Sequence, residues 1–107
     1  MSSEYLPDVY VRFRDRFPTV VESVDALGMA ADGAGSLDER TRRLVKLGIA
    51  VGAMAEGAVR SNARKALQAG ASEGDILHVA ALTVSTCGFP AAVAAYSWIE
   101  EVLVARH

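Results

Sequence analysis

Apolar positions along the chain recur with helical spacing, and no segment alternates apolar and polar residues over the length of a strand. The valine-rich runs are interleaved with alanine and bounded by helix caps, so they read as helix. Ser36-Leu37-Asp38-Glu39 and Ser72-Glu73-Gly74-Asp75 each place an N-cap acceptor three residues before an acid and just ahead of an apolar run. Gly70 and Gly88 suit left-handed caps that end the preceding helices, while Pro18 and Pro90 suit first helical turns. The pattern predicts about six helices: 8–16, 18–31, 37–53, 56–69, 73–87 and 90–105, with Gly33-Ala34-Gly35 as the loosest link. The expected fold is an all-α bundle without internal repeats.

The third of these helices changes the picture. Val45 to Met54 holds one charge, Lys46, and is apolar nearly all round, so it must be covered on more than one side. A chain of 107 residues, read as a single domain, rarely supplies that much cover, and a second subunit is the natural supplier. The alternative is a central helix covered by its own domain.

Composition narrows the function classes. Thirteen acids against eleven bases give a net charge of −2, and the bases are dispersed except near Arg40–Lys46 and Arg60–Lys65, which disfavours nucleic acid as a partner. Cys87 is the one cysteine, so an intrachain disulfide, a Cys-x-x-Cys redox pair and a multi-thiolate metal site are all excluded within one chain. No glycine-rich phosphate loop or His-rich metal spacing appears, so no cofactor or metal is expected. Met1 to Asp8 lacks the basic start and apolar run of a secretory signal, and the expected setting is cytoplasmic. Ile76 to Ile99 contains no Asp, Glu, Lys or Arg and is long enough to span a bilayer. Gly88-Phe89-Pro90 cuts that run in the middle, so two buried helices are expected and no membrane span.

Candidate chemistry gathers where the fourth helix begins. Free N–H groups and the positive end of the helix dipole favour an anion there. Glu56, Arg60 and Arg64 follow at four-residue intervals and share one face, with Asn62 on a neighbouring face. Glu56 as acid or base with an arginine holding a substrate carboxylate is one reading; a solvated salt-bridge ladder is the other. His78 reads as a proton shuttle or as a hydrogen-bonded structural residue. Cys87 ends the fifth helix, where the dipole disfavours a thiolate, and is expected in the core. Tyr96 and Trp98 are expected to pack the last helix or to border a pocket.

From Leu37 to Leu103, about two thirds of the chain, the sequence resembles the carboxymuconolactone decarboxylase family, which also contains the alkylhydroperoxidase D proteins. The resemblance rests on Leu37-Asp38-Glu39-Arg40-Thr41-Arg42-Arg43-Leu44-Val45, on Glu56-Gly57-Ala58-Val59 leading into Ala63-Arg64-Lys65-Ala66-Leu67-Gln68-Ala69-Gly70-Ala71, and on Gly88-Phe89-Pro90-Ala91-Ala92. It implies a family core over 36–105 preceded by N-terminal helices over 1–35, and a homo-oligomer, trimer or hexamer, associating through a helical hairpin. In the peroxidase branch a glutamate on the long helix assists a Cys-x-x-Cys pair, followed by a histidine. The matching positions here are Arg43, Ala55, Ala58 and Asn62, all changed. Thiol peroxidase chemistry needs a thiolate at that site, which alanine does not supply. The decarboxylase branch uses the same histidine for acid/base work; Asn62 exchanges no proton near neutral pH, though it orients a substrate or water by hydrogen bonds. The resemblance therefore implies a small organic acid as ligand, held by Arg43, Arg60 and His78, with Glu56 and Asn62 as catalytic candidates for lyase-type chemistry. Two alternatives stand beside it: a non-catalytic oligomeric module whose family site has decayed, and an alkylhydroperoxidase D-type antioxidant role.

Overall fold

A computed structural model describes residues 7–107 and shows an all-α protein: α1 (Asp8–Arg16), α2 (Pro18–Asp32), α3 (Glu39–Gly52), α4 (Glu56–Gln68), α5 (Glu73–Leu82), α6 (Val84–Cys87) and α7 (Phe89–Arg106). Two compact units share the chain, dividing after Ser36. In the first, α1 and α2 form a short hairpin with Pro18 in the opening turn of α2. Its buried apolar residue is Val21, and Phe13 and Phe17 stack at a tilt with ring centres 5.1 Å apart. A shallow hollow of about 370 Å³ lies on this unit, between Arg14, Asp15, Pro18, Val21, Glu22 and Asp25.

The second unit is built around α3 and α4, with α5, α6 and α7 packed on them. Leu47, Val51, Val59, Ile76 and Ile99 are its largest fully buried side chains, and Ala63, Ala66 and Ala95 let the helices approach between them. Two of its helices, α3 and α5, start at a side-chain cap. Ser72 accepts the Asp75 amide N–H while the Asp75 carboxylate accepts the Ser72 amide, both at 3.0 Å, completing the expected capping box. The α3 box is not formed as expected: Asp38, not Ser36, is the N-cap, its carboxylate accepting the Thr41 amide at 2.8 Å. A charged acceptor next to the helix dipole outcompetes the serine two residues earlier. The predicted fifth helix is also broken, into α5 and α6. Thr83 is buried, its hydroxyl donates to the Ala80 carbonyl at 2.7 Å, and its amide takes the same carbonyl, which tightens the turn from four-residue to three-residue spacing.

Two helix ends close in the same way. After α4, Gly70 has a positive φ of 101°, its amide donates to Leu67, and the Ala71 amide reaches back to Ala66. After α3, Met54 has a φ of 53°, its amide donates to Val51, and the Ala55 amide reaches back to Ala50. Both are left-handed closures of the kind that glycine favours, yet α3 uses methionine, whose Cβ is crowded in that conformation. Met54→Gly is therefore expected to raise stability by about 1 kcal/mol, read as a higher denaturation midpoint at unchanged slope. A flat or lower midpoint would mean that the Met54 side chain itself holds the turn closed.

The expected all-round cover of α3 is only half present in one chain. Leu47, Ala50 and Val51 face the core, while Val45 is half exposed and Ile49 is 65% exposed.

Candidate functional site

The three-residue turn Ala53-Met54-Ala55 folds α4 back against α3 and sets the start of α4 at one end of the hairpin. Ala55 occupies the N-cap position there, its carbonyl accepting the Val59 amide at 2.9 Å, but it offers no side-chain acceptor. Where Asp38 and Ser72 quiet the first-turn amides of α3 and α5, those of α4 have no side-chain cap. Beside them, a Cβ built on Gly57 meets nothing within 4 Å. The end of α4 thus presents donors and a partial positive charge to its surroundings.

Glu56 and Arg60 are brought together, as their spacing suggested, and a third group joins them. The Arg60 guanidinium lies 2.7 Å from the Glu56 carboxylate and donates to both Glu101 oxygens, at 3.1 and 3.2 Å. Hydrogen bonds to Glu56 and then to Glu101 hold its pKa above the ordinary arginine value. Two carboxylates around one cation leave a local charge of about −1, so Arg60 acts as a strut from α4 to α7 and is poorly placed to hold a further carboxylate. Sequence spacing does not disclose Glu101, which is 41 residues from Arg60 and enters through the packing of α7 on α4.

The remaining candidates divide. Asn62 is half-buried, and its amide nitrogen donates to the Ala58 carbonyl at 3.0 Å, tying the side chain to its own helix. Arg43 is half-buried on α3. His78 is exposed on α5, and Asp75, on the preceding turn, is its electrostatic neighbour. The Asp75 carboxyl is held below its ordinary value mainly by the hydrogen bonds from Ser72, with Arg40 and His78 adding to the effect. Cys87 is exposed and not in the core as expected: it closes the four-residue α6, and its sulfur lies 3.5 Å from the point where a Cβ on Gly52 would sit. Tyr96 is exposed as well, whereas Trp98 packs against the core. Among the described residues, no three His, Cys, Asp or Glu side chains are grouped so that they could hold a metal ion, and no helix is long and apolar enough to cross a membrane.

The family model for carboxymuconolactone decarboxylases matches residues 18–101. The chain belongs to the carboxymuconolactone decarboxylase family. No curated protein matches it. The match begins at Pro18 and so takes in α2, which the resemblance read from the sequence had left outside the family core. Ala55 and Ala58 stand at the N-cap and third residue of the uncapped α4.

Proposed function

We propose that this member of the carboxymuconolactone decarboxylase family binds a small organic acid at the start of α4, in a homo-oligomer, and runs no thiol peroxidase chemistry there. One observation carries the reading: the first turn of α4 offers amide donors without a side-chain acceptor, where the family resemblance puts its reactive groups. A carboxylate is the complementary ligand, since it accepts several N–H donors and is favoured by the positive end of the dipole. Arg43, at the position of the family's helix glutamate, is the cation assigned to a second carboxylate oxygen. Glu56 is the acid or base, and Asn62 an orienting group. A lyase-type proton transfer is the reaction class these residues fit, and it would require Glu56 to leave its pairing with Arg60. Support for self-association comes from the outer face of α3, where Val45 and Ile49 remain uncovered in one chain. A trimer or hexamer is the proposed form, in keeping with the resemblance.

The Glu56–Arg60–Glu101 cluster favours a second reading, a non-catalytic module, because it locks the acid and the nearest cation into a strut. A thermal-shift panel of mono-, di- and tricarboxylates and lactones separates the two. Ligand at about 100 Kd is expected to add ~2.7 kcal/mol. Arg43→Ala is expected to remove most of that gain and Arg60→Ala to leave it largely intact, since Arg60 is already paired. No stabilisation across the panel would sink the binding reading and leave the module.

A further inference from the structure

We draw no further inference here: the strongest candidate, the apolar face of α2 that leaves Val20, Val24, Leu27 and Met29 exposed, carries nothing, because nothing in the structure shows what covers it.

Discussion

Leu47→Ala is expected to cost about 2–5 kcal/mol, the largest single loss in the second unit, whereas Ile49→Ala two positions away costs about 0.5 kcal/mol or less in an isolated chain. Leu47 is fully buried between Val51, Val59, Ile76 and Ile99, so removing its branched end loses transfer free energy and leaves a void whose walls are held by four helices. Ile49 points outward from the same helix. In a unit of this size the loss is a large share of a total of roughly 5–15 kcal/mol, and the melting temperature is expected to fall by roughly 10 °C or more. Denaturation of both variants at two protein concentrations is the measurement. If Ile49→Ala proves costly at high concentration only, the outer face of α3 is a subunit contact. If it is costly at every concentration, α3 is covered by its own chain and the proposed α3 interface is lost.

Ala55→Asp tests the start of α4 in a different manner, by giving the helix the acceptor it lacks. The side chain would stand at the N-cap, as Asp38 does on α3, and satisfy the first-turn amides from within. Ligand-free protein is then expected to gain about 1 kcal/mol from the cap. The shift induced by an organic acid is expected to disappear, because donors and dipole are already engaged and a fixed carboxylate repels the incoming one. Calorimetry on both forms reads the two effects together. A stabilised variant that keeps its ligand shift would place the acid elsewhere on the molecule.

What the sequence disclosed follows from the range of the interactions involved. The Ser72–Asp75 cap, the Gly70 closure and the Pro18 start are decided by residues within a few positions of one another, and those were legible. Competition between two neighbouring acceptors was not: Ser36 and Asp38 both fit a cap motif, and only the folded turn shows the aspartate accepting the amide. The break at Thr83 depends on its hydroxyl choosing the Ala80 carbonyl, an option open to any threonine in a helix and seldom taken so abruptly. An unreactive thiol at a helix end is not thereby a buried one: Cys87 closes α6, which leaves it exposed. At the site, i,i+4 spacing was enough to join Glu56 to Arg60, but Glu101 comes from the other end of the core and cannot be inferred from a period. That positions 55 and 58 carry no thiol needed no structure, since alanine there is a statement of chemical identity.

The twin closures at Met54 and Gly70 also order events in time. Each ties together residues only five apart, so α3, α4 and α5 can meet their neighbours as soon as they exist, within the microseconds typical of local helical contacts. The last long helix is different: Ile99 and Val102 reach a core formed by residues about fifty positions earlier, such as Leu47 and Val51. During synthesis, α3, α4 and α5 therefore stand with Val59 and Ile76 unsheltered until residues 89–106 leave the ribosome. That interval, before α7 has emerged, is when this unit most needs a chaperone.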